Sequence, residues 1–400
     1  MKNLSKILVL VLMLSIIFTA CGNNAAPQTS PSTSAQPSES ASPSNQPTGE
    51  PIKLGMVTQF PREYSYYVRD GVKMAVEEIN AAGGVLGRPL ELIIEDEGET
   101  QQDSLNAMMK LLTNKDLVGV LGSIQSPYCV AASDLVAQEK IPTLMGGSSR
   151  KIVEQGNDYI YLVRTIDKYN GANVAKLAVE KYNAKKVAIV HMNDASGVSY
   201  SEAITNTLKD KYGITPVLTL GYDEKTETNF NPYVIQAMEA EADFLFFSGS
   251  VGVSNLMQQA VYNNGFEGKC MSTTPGVSAQ AVEMSGEAAE NWSSVSDYST
   301  DVDDEFQRAF IDKYKETHEF DPDFFAAEYY DMVYLFAEAI EIAGVAERDA
   351  INEGIKQIKD FQGAMSNYSF HDDYGLSNIA YVVTVKDGKP IVEDTVRTYE

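Results

Sequence analysis

Three hydrophobic regimes follow one another along the chain. The first is an unbroken apolar run, ILVLVLMLSIIF from Ile7 to Phe18, behind a start that carries two lysines and no acid. It is shorter than the ~20 apolar residues a spanning helix needs. It ends on the small pair Thr19 and Ala20, just before Cys21, and that order predicts a secretory signal peptide over residues 1–20. In the second regime, Gly22 to Glu50, the residues are almost all Ser, Pro, Ala, Gln, Asn and Thr, and none can anchor a core. A disordered tether over 21–50 is predicted, stiffened by its prolines. The third regime, from Ile52 onward, alternates short apolar runs with stretches of helical spacing.

In that third regime Ile52 to Val57 predicts a strand, and Val72, Ala75, Val76 and Ile79 recur at helical spacing until Gly83 and Gly84 stop the helix. A strand from Leu90, a helix over Ser104 to Leu112 and strands at Leu117 to Gly122 and Pro142 to Met145 complete a first series. A second series has strands from Lys185, near Val217, from Asp243 and at Lys269 to Ser272. Its helices lie from about Tyr200, near Val234 and over Ser254 to Tyr262. A long amphipathic helix ending at Gly344 follows, then strands Ile379 to Val385 and Pro390 to Asp394 around a Lys386-Asp387-Gly388 turn. Repeated β-α alternation implies right-handed crossovers and parallel sheets covered by helices. Two such series predict an α/β fold of two Rossmann-like lobes, with a ligand site at the carboxyl ends of the strands.

Composition narrows the function. With 31 Lys and Arg against 56 Asp and Glu, the formal charge of -25 opposes binding to phosphate backbones, so nucleic acid is excluded as a partner. Cys129 and Cys270 are the thiols left after Cys21, too few for a disulfide framework, and two unpaired buried cysteines are expected. His191, His318 and His371 are scattered without metal-ligand spacing, so neither metal nor cofactor is expected. An enzyme would need a nucleophile beside a base or a cofactor loop. The glycines of NAAGGVLGRP follow a helix rather than open one, so they form no dinucleotide fingerprint. An extracytoplasmic enzyme is therefore the minor alternative.

The segment Phe18-Thr19-Ala20-Cys21 resembles the lipobox of bacterial lipoproteins, in which the cysteine receives a lipid; Phe18 stands where that family usually has Leu. AVEEINAAGGVLGRPLELIIEDE from Ala75 resembles the opening of the leucine/isoleucine/valine-binding family of transport receptors, of type I periplasmic-binding-protein fold. GVLGSIQSPYCVAASDLVAQEKIPTLMGGSS from Gly119, AAEYYDMVYLFAEAIEIAG from Ala326 and VKDGK from Val385 extend the likeness over nearly all of Ile52 to Glu400. The resemblance implies two lobes joined by three crossing strands, the first about 51–166 and 297–376, the second about 167–296 and 377–400. It also implies hinge closure on a small molecule, an amino acid, amide or aromatic compound, and delivery by a monomeric receptor to an ABC permease. A receptor of the same fold that signals to a membrane partner is the other reading.

Carried over position by position, the resemblance assigns a ligand carboxylate to Ser126 and to Gly147, Ser148 and Ser149. Ser126 adjoins a helix whose free N–H groups favour an anion, although a plain capping role is compatible with the same place. Tyr64 and Phe325 match aromatic positions of the family. In the second lobe Ser196, Ser250 and Thr274 stand where the amino-acid receptors have tyrosines and, for Thr274, an acid that pairs with the ligand ammonium. A buried ammonium without a carboxylate is costly, so either the ligand lacks one or another acid serves. Glu328, one turn after Phe325, is expected to be an exposed helix acid; turned into the cleft it would be that other acid. Tyr64, Tyr66, Tyr67 and Tyr329 are expected near the cleft, where they would suit an aromatic or cationic ligand.

Overall fold

The computed structural model describes residues 47–60, 63–318, 320–371, 376–377 and 379–397, with backbone alone for 63, 64 and 377. Cys21, the apolar run before it and nearly all of the tether lie outside the described residues. The first series forms a five-stranded parallel sheet in the order β2-β1-β3-β4-β5. Its strands and helices are β1 (Ile52–Thr58), α1 (Glu63–Ala81), β2 (Leu90–Asp96), α2 (Gln101–Leu111), β3 (Leu117–Leu121), α3 (Ser126–Glu139), β4 (Thr143–Met145) and β5 (Ile160–Leu162). β1 and β2 pair from Ile52 opposite Leu90 to Thr58 opposite Asp96, and strand β5 extends the sheet beyond the last strand predicted.

After β5 the chain enters α4 (Asp167–Glu180) and the second series: β6 (Val187–Met192), α5 (Ala195–Tyr212), β7 (Leu218–Tyr222), α6 (Asn231–Glu239), β8 (Phe244–Phe247), α7 (Val251–Asn264), β9 (Lys269–Ser272), α8 (Ala279–Ser285) and β10 (Ser293–Ser296). It then passes through α9 (Glu305–Thr317), α10 (Phe324–Ala343), α11 (Arg348–Gln357), β11 (Phe361–Gln362), β12 (Asn367–Phe370) and β13 (Leu376–Ser377). The hairpin β14 (Ile379–Lys386) and β15 (Lys389–Arg397) ends the described chain. The second sheet runs β15-β14-β10-β9-β8-β6-β7, with the hairpin antiparallel at one edge.

Helix α10 organises the first lobe. It is held at its start by the Asp323 carboxylate, which accepts from the Ala326 N–H at 2.9 Å. It stops at Gly344, whose φ of 66° is the left-handed conformation a helix end needs. Phe324, Ala327, Tyr329, Met332, Leu335 and Phe336 are all buried in one cluster with Val68 and Val72 of α1. The two helices approach so closely that a β-carbon on Gly71 would meet the Ala326 carbonyl oxygen at 2.2 Å. Only glycine fits that crossing.

The chain passes between the sheets three times, and the first two passages are tied to each other. Arg164, just after β5, donates from Nε at 3.0 Å and from Nη2 at 2.8 Å to Asp297, just after β10. Asn170 of α4 donates to the other oxygen of Asp297 at 3.0 Å. Burial works against the Arg164 charge, and Asp297, with Glu328 and Tyr200 behind it, more than offsets that, holding the guanidinium protonated. At the third passage the buried Asp331 carboxylate accepts from the Ala364 and Met365 N–H groups and from the Tyr368 hydroxyl at 2.6–2.8 Å.

Candidate functional site

The loops after β3, β4, β6, β8 and β9 meet between the two sheets, which is where an open parallel sheet presents its free strand ends. Ser126 is the first residue of α3. The N-cap is Gln125, which makes no side-chain capping bond; Pro127 carries no N–H, and the Tyr128 and Cys129 N–H groups donate to the Gln125 carbonyl at 2.9 and 3.0 Å. The Ser126 hydroxyl is not spent on the cap: it accepts from the Ser149 N–H at 3.3 Å. Gly147 lies against it, since a β-carbon there would stand 3.0 Å from Ser126 Oγ and 2.8 Å from Ile152 Cδ1. Ser149, fully buried, donates from its hydroxyl to the Ala195 carbonyl at 2.9 Å. Ala195 begins α5, so this bond reaches from the loop after β4 across to the loop after β6.

Ser148 and Ser196 meet at a third residue. The Ser148 carbonyl accepts from the Asp167 N–H at 2.9 Å. Asp167 is fully buried, and neither of its carboxyl oxygens has a partner at hydrogen-bond geometry. Burial pushes this carboxyl up to about 7, against the pull of the Ser148 and Ser196 hydroxyls beside it and of Arg164.

From the second lobe, Thr274 is buried with an unpartnered hydroxyl, as is Ser272 at the end of β9. Thr274 lines a cavity of about 60 Å³ together with Tyr67, Val251, Tyr298 and Phe324. Ser250 is exposed and caps α7 without a side-chain bond, its N–H donating to Glu224 at 3.0 Å, so Val251 takes its place on the cavity wall. Phe325 is half-buried and packs 3.9 Å from Phe324, ring centre to ring centre; Phe324 is the one that faces the cavity. Tyr64 is the second residue of α1, and its side chain is outside what is described.

Two expectations change. Of the tyrosines whose side chains are described, Tyr66 and Tyr329 do not come together: Tyr66 is 51% exposed, whereas Tyr329 is fully buried in the core with its hydroxyl donating to the Gly122 carbonyl. Successive helix positions turn by 100°, so Tyr66 and Tyr67 cannot face one way. Glu328 is also not an exposed acid. It is 0% exposed, and both carboxyl oxygens lack a hydrogen-bond partner. Burial drives it well above the usual carboxyl range, with Arg164 pulling the other way. The signal was in the sequence, because Phe324, Glu328, Met332 and Leu335 share one helical stripe and its other members are apolar.

Cys129 and Cys270 are both buried and free, and burial raises both thiols, so neither is a ready nucleophile. Among the described residues no cluster of His, Cys, Asp and Glu could hold a metal ion, and no helix is long and apolar enough to cross a membrane.

Known proteins share this architecture. The leucine-, isoleucine-, valine-, threonine- and alanine-binding protein of Pseudomonas aeruginosa is 24% identical over 82% of this chain and 87% of its own length. Two crystal structures superpose with the fold. The branched-chain amino acid transporter substrate-binding protein LivJ of Streptococcus pneumoniae, in complex with isoleucine, gives a TM-score of 0.77 at 24% identity, over 86% of this chain and 99% of that one. A solute-binding protein of an R. palustris ABC transporter, in complex with 4-hydroxybenzoate, gives 0.78 at 21% identity, over 88% and 98%. The family model described as periplasmic binding protein matches residues 51–390, and the chain belongs to that family.

Proposed function

We propose that this extracytoplasmic solute-binding receptor serves an ABC importer and captures a small carboxylate-bearing molecule, whose carboxylate sits at the start of α3 between Ser126, Gly147 and Ser149. One observation carries the reading. Ser149 faces the Ser126 hydroxyl with its N–H and the opposite lobe with its own hydroxyl, so the residue that would hold the anion is also one that latches the lobes. The positive end of the α3 dipole favours negative charge. The relatives agree in chemistry: isoleucine and 4-hydroxybenzoate, found in the two neighbouring structures, share a carboxylate and little else. Being family members rather than catalysts, such proteins act by closing, and closure is a population shift driven by contacts made in the closed form. The membrane anchor is Cys21, on the strength of the lipobox-like segment before it, and the partner is the importer's permease.

Small-angle scattering of the full-length receptor against a panel of amino acids and aromatic acids tests this reading. At least one carboxylate should compact the protein. The Gly147→Val variant, whose side chain would fill the space beside Ser126 Oγ, should lose both binding and compaction while keeping its circular dichroism. No response to any carboxylate would overturn the assignment.

A further inference from the structure

The position that the amino-acid receptors give to an acid holds Thr274, and yet the site is not without carboxyls. Glu328 approaches it from α10. Its Oε1 lies 3.0 Å from where a β-carbon of Gly146 would stand, and Ile124 lies 3.2 Å from the same point. Gly146 immediately precedes Gly147, where an added β-carbon would stand at the same distance from Ser126 Oγ. The unpartnered carboxyl and the proposed anion cradle therefore abut consecutive residues of one loop. Asp167 flanks the next residue, Ser148, with the Ser148 and Ser196 hydroxyls beside its own carboxyl.

No cation of the protein is given over to Glu328. The charged groups that act on Glu328 are Arg164, Asp297, Asp323 and Asp331, and Arg164 is the one cation among them. Its guanidinium is already committed to Asp297 through two hydrogen bonds. A carboxyl taken out of water with no partner is a standing cost of a few kcal/mol, and native structures rarely keep such groups without a use for them. Buried hydroxyls that could accept further hydrogen bonds are unpartnered too, at Ser272 and Thr274.

Resting on the carboxylate reading above, we infer that Glu328 supplies the counter-charge for a protonated amine on the bound solute, so that the ligand is a zwitterion of the α-amino-acid kind. In an α-amino acid the ammonium and the carboxylate sit on one carbon, which suits a carboxyl at Gly146 beside an anion cradle at Gly147. The acid has moved from the second lobe, where Thr274 replaces it, to a helix of the first lobe. A carboxylate ligand without an amine, such as a benzoate, would bring Glu328 no cation to pair with.

The test is calorimetry on the full-length receptor with the twenty common amino acids, their desamino counterparts (4-methylpentanoate for leucine, 3-phenylpropanoate for phenylalanine) and 4-hydroxybenzoate. At least one amino acid should bind, with its desamino counterpart about 100-fold weaker, the loss typical of removing one partner of a buried charge pair. Glu328→Gln keeps the shape and the fold, which a thermal melt verifies. It should weaken the amino acid by a similar factor and leave the desamino compound unchanged, so that the discrimination collapses. The inference is overturned if 4-hydroxybenzoate or a desamino acid binds as tightly as any amino acid, or if the Gln variant keeps the discrimination. Silence from every probe would overturn the carboxylate reading along with it, whereas binding of amine-free acids alone would leave that reading standing and remove only Glu328.

Discussion

The two lobes present different chemistry to the cleft. The first brings charge and bare backbone: Glu328 buried without a partner, Arg164 locked to Asp297, and Gly146 and Gly147 with no side chain to hold the solute away. The second brings hydroxyls: Ser196 at the start of α5, Ser272 at the end of β9 and Thr274 just after it. A buried carboxyl is costly to ionise without a partner, so the first lobe gains most from a solute whose cation pairs with it. A hydroxyl can turn to donate or accept, so the second lobe can adapt. The contrast implies that the first lobe fixes the orientation of the solute and the second finishes its enclosure.

The largest break in that contrast is expected at Arg164. Replacing it by Met leaves Asp297 buried with Asn170 as its remaining partner and removes the nearest cation from Glu328. Breaking one side of a buried pair costs about 3–5 kcal/mol, so Arg164→Met should lower the urea midpoint sharply. A loss below about 1 kcal/mol, as for an exposed pair, would show that this joint carries no such charge. The ties between passages would then be packing alone.

Next in size is the pH dependence of the first lobe. Glu97, just after β2, is buried beneath the Ser104 and Ser123 hydroxyls, which donate to it at 3.0 and 3.1 Å, and burial pushes it up to about 7. Because the folded value lies above the unfolded one, near 4, the folded state binds the proton more tightly. The stability gained is complete below about pH 4 and is lost as the pH rises through 7. The loss is on the order of 3 kcal/mol, at about 1.4 kcal/mol per pH unit. Thermal melts from pH 5 to 8 should fall in the wild type and fall less in Glu97→Gln. Equal slopes would remove Glu97 as a source of the effect.

Much of the fold was legible because the β-α alternation is written in long apolar runs such as LELIIED and DFLFFSG. The elements that were not legible lack that signature. β10 reads Ser-Ser-Val-Ser, and its Ser293 hydroxyl pairs with Thr384 at 2.7 Å in place of apolar packing. α4 carries Asn170, Gly171 and Asn173 on its buried side, so residue type disguises a helix that tertiary contact stabilises. At the site, Ser126 and Ser149 were legible as the ends of strand-loop segments, and the structure brings them together. Glu328 was misjudged because helix acids are usually exposed, although its neighbours at helical spacing were apolar. Ser250 shows the converse error: it holds the right place in sequence, but the chain turns one residue later and presents Val251.

The smallest effect, and the one that sharpens the contrast most, is expected at Thr274. Its hydroxyl is buried without a partner, so in the ligand-free protein Thr274→Val exchanges an unsatisfied polar group for a methyl of nearly the same shape. That exchange should leave stability unchanged or raise it by up to about 1 kcal/mol. Ser126→Ala in the first lobe should do the opposite, because the Ser149 N–H loses its acceptor and a buried donor is left unmade, a loss of about 1–3 kcal/mol. Melting the two variants side by side, without ligand, separates the lobes by sign rather than by size. If Thr274→Val destabilises as much as Ser126→Ala, its hydroxyl is satisfied within the protein, and the second lobe's adaptability does not extend to this position. If the signs differ, the same variant with the tightest-binding amino acid gives the second half of the answer. A hydroxyl held in reserve for the solute should then reveal itself as about a tenfold loss of affinity, the worth of one hydrogen bond.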